Sequence, residues 1–192
     1  LSRNFATMNY KVSRKNATID AADFVNRYLD VERMAGLCGQ CPSFGKSWAC
    51  PPHEFDAASV SDGFATVTLM ATVIEFDEKT LVDCRAPSVA RRVADRAMNE
   101  VLEKLLPEMY EMERQVPGSR CFTFRCRLCP QGCTRPQGQP CRHPDRLRYS
   151  LEAVGFDLTA ATSDLLGIEL EWSEDGSLPR HITLVTALMS LS

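Results

Sequence analysis

Apolar side chains recur along this chain with two different periods. After Pro87, the residues Val89, Val93, Ala97, Val101, Leu102 and Leu105 fall on one face of a 3.6-residue repeat, while Arg91, Arg92, Asp95, Glu100 and Lys104 fill the other. That pattern predicts an amphipathic helix over 87–106, with Pro107 a place for a kink and Pro117-Gly118 a stop. In 19–34, IDAADFVNRYLDVERM, the residues Phe24, Val25, Tyr28, Leu29, Val31 and Met34 lie near helical spacing behind Asp20 as N-cap. Gly36 is expected to end that helix just before Cys38. A further helix is expected around 150–166, where Ser150 can cap a short first turn and Gly155 can terminate it.

Strands are read from the second period. The run FATVTLMATVIEF, 64–76, is rich in Val, Ile, Thr and Phe and predicts a largely buried strand. RCFTF, 120–124, predicts a short one. IELEW, 168–172, alternates, Asp175-Gly176 offers a turn, and HITLVTALMSL, 181–191, is apolar, so a C-terminal antiparallel hairpin is expected. The fold class that follows is α+β: a single domain over 1–192, with a mixed or antiparallel sheet of about four strands packed on helices and two cysteine-rich metal-binding loops. No repeat of fixed period and no linker divides the chain.

Composition narrows the partners. The apolar fraction of 44% over 192 residues is enough for a core without help from metal or disulfide. A net charge of -3 argues against nucleic acid or an anionic membrane surface as a partner, the arginines near 125–148 being a local exception. No run reaches the roughly 18–20 apolar residues of a membrane span, and the first residues, LSRNFATMNYKVSRKN, lack the apolar core of a signal peptide. A cytoplasmic protein is therefore expected.

Cysteine changes the picture most. There are nine, an odd number that forbids complete internal pairing, and in a reducing cytoplasm clustered cysteines read as metal ligands or redox thiols. Seven fall in two stretches: Cys38-x2-Cys41-x8-Cys50-Pro-Pro, and Cys126-x2-Cys129-x3-Cys133-x7-Cys141. A Cys-x2-Cys turn lets two thiolates face one ion or cluster while backbone N–H groups point at the sulfurs. Glycines and prolines such as Gly39, Pro42, Gly45, Pro51, Pro130 and Gly132 fix such turns. Zinc, with four ligands in a closed tetrahedron, could take Cys38, Cys41, Cys126 and Cys129, but Cys50, Cys133 and Cys141 would then be unexplained. A 4Fe-4S cluster takes four thiolates from one run with a more distant member, which Cys126, Cys129, Cys133 and Cys141 supply alone. Iron–sulfur uses more of the cysteines; zinc stays open as the alternative.

The stretch CPSFGKSWACPP, followed much later by a run ending PCRHP and then RYSLEAVGFDL, resembles the cysteine-rich metal-binding proteins grouped as domain of unknown function 2284. The resemblance covers most of the chain, from about Cys38 to the final strand. It implies a small prokaryotic cytosolic protein of a kind common in anaerobes, holding a metal centre, with an iron–sulfur cluster as the expected form. The motif cysteines it carries over are Cys38, Cys41, Cys50, Cys126, Cys129, Cys133 and Cys141. One spacing departs from the expected pattern, because Pro130-Gln131-Gly132 separate Cys129 from Cys133 where two residues are expected.

The remaining candidates are read more blandly. Cys121 is expected to point inward as a small hydrophobe and Cys84, beside Arg85, to be a surface thiol. The first group's fourth ligand could be Cys84, Cys121, His53, a small molecule, or nothing. His53 and His143 are expected to make hydrogen bonds beside the cysteines rather than ligate, and His181 simply to open a strand. Arg127, Arg135 and Arg142 are read as solvated cations that would offset a cluster's charge. Trp48 and Phe44 could shield a centre from water, and Glu152 reads as a first-turn capping residue rather than an acid catalyst. No phosphate loop, dinucleotide fingerprint, nucleophile elbow or His-Glu zinc helix is present, so an enzyme here would have to work through its metal centres. The expected function is electron transfer or redox support through one or two 4Fe-4S clusters, with an unidentified redox partner protein. The rivals are a zinc-stabilised binding module, and a cluster enzyme or metal-delivery protein using an incomplete three-cysteine site.

Overall fold

The structure is a computed structural model that describes residues 8–173 and 175–191. Four strands form one antiparallel sheet: β1 (Tyr10–Asp20), β2 (Thr66–Phe76), β3 (Arg120–Phe122) and β4 (His181–Ser190), in the order β1-β2-β4-β3. Five α-helices accompany them, α1 (Ala21–Tyr28), α2 (Val31–Gly39), α3 (Glu78–Asp83), α4 (Pro87–Gln115) and α5 (Leu158–Leu166). This is an α+β arrangement, as the sequence predicts.

The two-residue strand period sorts the core onto both faces of the sheet. Val67, Leu69 and Ala71 of β2 stand opposite Met189, Ala187 and Val185 of β4, and with Phe122 they pack against Phe24 and Tyr28 of α1 and Leu158 and Ala161 of α5. On the other face Ile74, Leu184, Leu188 and Cys121 meet Ala97, Leu102, Leu105 and Met109 of α4. The helix predicted over 87–106 thus exists and runs on through Pro107 to Gln115, with Pro87 in its first turn, where a missing N–H costs nothing. Among the described residues no helix is long and apolar enough to cross a membrane.

Five points need correction. β1 was not foreseen, because its sequence YKVSRKNATID has no apolar alternation; it is an edge strand largely exposed, and its charges suit that position. The expected C-terminal hairpin does not form. β2 lines β4 along its length and β3 takes Ala187–Met189 on the other side, so 168–172 pairs with no strand among the described residues. Glu171 instead accepts hydrogen bonds from the Arg180 and His181 N–H groups at 2.9 and 3.3 Å.

The helix predicted over 19–34 is broken in two. Asp20 caps α1 as expected, accepting from Ala22 N–H at 2.8 Å and Asp23 N–H at 3.2 Å. At Leu29 the chain leaves the helix to bridge Phe156, the Asp30 N–H donates to the Gly155 carbonyl at 2.8 Å, and the Asp30 carboxylate caps α2 through Arg33 N–H at 3.0 Å. Gly36 does not end α2, which continues to Gly39. The helix expected around 150–166 is likewise two pieces, a 3-10 turn over Glu152–Val154 and then α5, capped by Asp157. Ser150 Oγ accepts from Ala153 N–H at 3.3 Å and Gly155, at φ +99°, terminates the turn, as expected for those two residues.

Candidate metal centre

Because α2 extends past Gly36, Cys38 sits in its last turn rather than in the loop beyond. A series of tight turns follows: Cys41 N–H to Cys38 O at 3.0 Å, Phe44 N–H to Cys41 O at 3.0 Å, Gly45 N–H to Pro51 O at 2.9 Å and Cys50 N–H to Ser47 O at 3.0 Å. Gly45 takes φ +68°, a backbone setting that a side chain would strain. These turns fold the stretch back on itself and bring the three thiols within electrostatic reach of one another. Burial pushes the Cys50 thiol up, and charge on Cys41 and Cys38 would push it further. Cys38 is raised first by burial, then by the Glu152 carboxylate, then by Cys41.

The second group leaves directly from β3. Cys126, Cys129, Cys133 and Cys141 line one small cavity of about 50 Å³, together with Leu128, Leu147, Ser47 and Trp48. Burial raises the Cys126 thiol; the Leu128 N–H bonded to its sulfur opposes this, and neighbouring Cys141, Cys129 and Cys133 add to the rise. The same i to i+2 contact recurs at Ser43 N–H to Cys41 Sγ, 3.5 Å, and His143 N–H to Cys141 Sγ, 3.4 Å. Three sulfurs therefore already face a backbone donor, the contact that metal-bound thiolates accept. Among the described residues, no three His, Cys, Asp or Glu side chains are drawn close enough to hold a single metal ion.

The two cysteine stretches are stitched together. Arg135 donates to the carbonyl oxygens of Ser47, at 2.8 Å, Cys50 and Pro52, and its guanidinium lies 5.2 Å from the Trp48 ring centre. Trp48 Nε1 donates to Thr134 Oγ1 at 3.3 Å and to Gln139 O at 3.1 Å, which seats the indole over the second group. Arg135 is thus a strut rather than a solvated cation. Arg127 reaches Asn99 Oδ1 on α4 at 2.6 Å and Arg142 reaches Gly132 O at 3.0 Å, so these two are also tied down.

A family model for predicted metal-binding proteins (DUF2284) matches residues 26–189. The chain belongs to this family. No curated protein and no solved structure gives a significant match. The matched span includes every motif cysteine of both groups and both loops that the Arg135 strut joins.

The other candidates divide cleanly. Cys84 is not a surface thiol: at the end of α3 it is 1% exposed, packed beneath α4. Cys121 is 1% exposed and does behave as a core residue on that same face, its thiol pushed up to about 12, chiefly by burial and then by Glu113. His53 bonds through Nε2 to the Ala153 carbonyl at 2.8 Å and stacks on Phe55 at 4.8 Å, with burial lowering its pKa. Two residues carry more than their sequence context suggests. Arg135 looked like any arginine near a loop, and only the cysteine-proline carbonyls it grips give it a role. Glu152 does begin a turn, but its Oε2 is buried and, among the described residues, has no hydrogen-bond partner.

Proposed function

We propose that the chain is an iron–sulfur protein whose cluster is held by Cys126, Cys129, Cys133 and Cys141, and that it serves electron transfer or supports a redox enzyme. The observation that carries this reading is that all four cysteines of the second group line one small cavity of about 50 Å³. When bound, a 4Fe-4S cluster supplies a one-electron couple at a potential set by charge, hydrogen bonds and exposure.

The chain's own residues account for the rest. The Leu128 and His143 N–H groups stabilise charge on Cys126 and Cys141. Trp48, Leu128 and Leu147 line the same cavity and limit the access of water and oxidant to the half-buried cysteines. The same reading has the protein working in a reducing cytoplasm, with a redox protein as its counterpart.

Anaerobic purification followed by iron, zinc and acid-labile sulfide analysis tests the proposal. The expected protein is brown, contains iron and sulfide, and loses its broad visible absorption on reduction. Cys129→Ser should remove most of that absorption. A colourless protein with stoichiometric zinc and no sulfide would overturn the reading in favour of a zinc-stabilised module.

A further inference from the structure

The arginines near 125–148 are the local exception in a chain of net charge -3, and the fold does not use them all alike. Arg135 joins the two cysteine loops and Arg148 pairs with Glu113. Arg127 and Arg146 have no such partner. Both line an open cavity of about 720 Å³ beside α4, within the size range of small-molecule and cofactor sites. Its apolar lining is Leu102, Leu106, Pro107, Tyr110 and Leu128. Leu128 lines the cysteine cavity as well, so the two cavities share that side chain.

Positive charge is left over here. Arg114 and Glu111, also in the lining, satisfy each other through contacts of 2.9 and 2.6 Å. Arg127 donates to the Asn99 amide oxygen at 2.6 Å, and Arg125 donates to the same atom at 2.8 Å, so two guanidiniums converge on one neutral acceptor. The Arg146 guanidinium stands 6.0 Å from the Tyr110 ring centre and makes no hydrogen bond or ion pair among the described residues. Glu103 lines the cavity too and offsets one of the two charges of Arg127 and Arg146. The cysteines are not what these arginines face, since no arginine among the described residues lines the cysteine cavity. Unpaired guanidiniums beside leucine, proline and tyrosine suit a ligand with an apolar ring at one end and an anion at the other.

We propose that this cavity binds a ring-bearing phosphate of the flavin mononucleotide type, with the ring against Leu106, Pro107 and Leu128 and the phosphate on Arg127 and Arg146. A guanidinium donates to two phosphate oxygens at once, which a point charge does not. The choice of a redox-active ring rests on the reading of the chain as an iron–sulfur protein, because Leu128 alone is common to this cavity and the cysteine cavity. The anion site does not depend on that reading.

The test is equilibrium dialysis of the full chain, purified anaerobically with its metal, against flavin mononucleotide, riboflavin and adenosine monophosphate at low ionic strength. Flavin mononucleotide should bind saturably at one site. Riboflavin, which has the ring without the phosphate, should bind about tenfold more weakly or worse, and adenosine monophosphate should compete poorly. Arg127→Ala and Arg146→Ala should each lose about tenfold in affinity for flavin mononucleotide and leave riboflavin binding unchanged, while Arg146→Lys should recover part of the loss. Unchanged far-ultraviolet circular dichroism shows that each variant is folded.

Equal affinity for flavin mononucleotide and riboflavin, or wild-type affinity in both alanine variants, would overturn the inference. Adenosine monophosphate binding as tightly as flavin mononucleotide would overturn the flavin ring. Iron and sulfide are assayed on the same preparation, so the two readings fail separately. Iron-loaded protein that takes up no flavin mononucleotide overturns this inference alone, whereas protein without iron or sulfide that still prefers flavin mononucleotide to riboflavin upholds the site and overturns the cluster.

Discussion

Glu113, near the end of α4, holds three segments at once. Its carboxylate accepts the β3 backbone through Cys121 N–H at 2.6 Å and pairs with Arg148, whose Nη1 also donates to the carbonyls of Asp145 and Leu147 at 2.9 and 2.8 Å. Both side chains are well buried, at 16% and 14% exposed. Burial alone would raise the Glu113 carboxyl, but Arg148 and the Cys121 N–H outweigh it and hold it at about 2, against 4.5 in the open chain. A carboxyl held low in the fold adds stability at every pH above its unfolded value and loses it as pH falls toward the folded one. A displacement of this size is on the order of 3 kcal/mol, lost between about pH 4.5 and about pH 2. Urea unfolding of the metal-free chain at about pH 6 and about pH 3 checks it. Wild type should weaken between the two by about 2 kcal/mol more than Glu113→Gln, and equal weakening would remove Glu113 as the cause. At neutral pH, Glu113→Ala should cost more, about 3–5 kcal/mol, because it leaves a buried guanidinium without its anion.

The helices show what local pattern can and cannot reveal. α4 was legible because its apolar face runs unbroken for five turns against one face of the sheet. β2 and β4 were legible because both of their faces are covered, which selects nearly continuous Val, Ile, Leu and Thr. The break between α1 and α2 was not, since its cause lies over a hundred residues away, in the bridge from Leu29 to Phe156. β1 was missed for the opposite reason, as an edge strand that buries little and needs no apolar alternation. The cysteine spacing revealed two groups, but neither the Arg135 strut nor the orphaned Glu152 oxygen leaves a mark in spacing. Two glycines separate these levels experimentally. Gly36 looked like a helix stop yet lies inside α2, with no described atom within 4 Å of where a Cβ would sit. Gly36→Ala should stabilise the protein by up to about 1 kcal/mol. Gly155 has φ +99°, and a Cβ there would meet Val31 Cγ2 at 2.8 Å and Val31 Cα at 3.1 Å. Gly155→Ala should therefore cost at least about 1–2 kcal/mol, and should shift α2, the helix that presents Cys38. Thermal melts of both variants beside wild type measure the pair, and a stabilising Gly155→Ala would contradict the account of the α2 junction.

Across the whole molecule, a rigid sheet with helices on both faces carries a cysteine-bearing end that has little regular structure of its own. The second group begins where β3 ends, and the first begins in the last turn of α2, so each is anchored at one side by a secondary element. Between those anchors the loops rely on each other, with Arg135 gripping three carbonyls of the first loop and Trp48 reaching across to Thr134 and Gln139 of the second. A guanidinium can fork across several acceptors at fixed angles, whereas a lysine ammonium is a single point on a flexible stem. Arg135→Lys keeps the charge and loses the fork, so its effect isolates geometry from electrostatics. It should lower stability modestly, by about 1–3 kcal/mol, and leave the sheet intact, as seen in unchanged far-ultraviolet circular dichroism. The larger effect should fall on the metal-binding end. With the Trp48 cover loosened, visible absorption of the loaded protein should bleach in air several-fold faster than in wild type. Equal bleaching rates would show that Trp48 stays seated without Arg135 and that the strut is merely a local support.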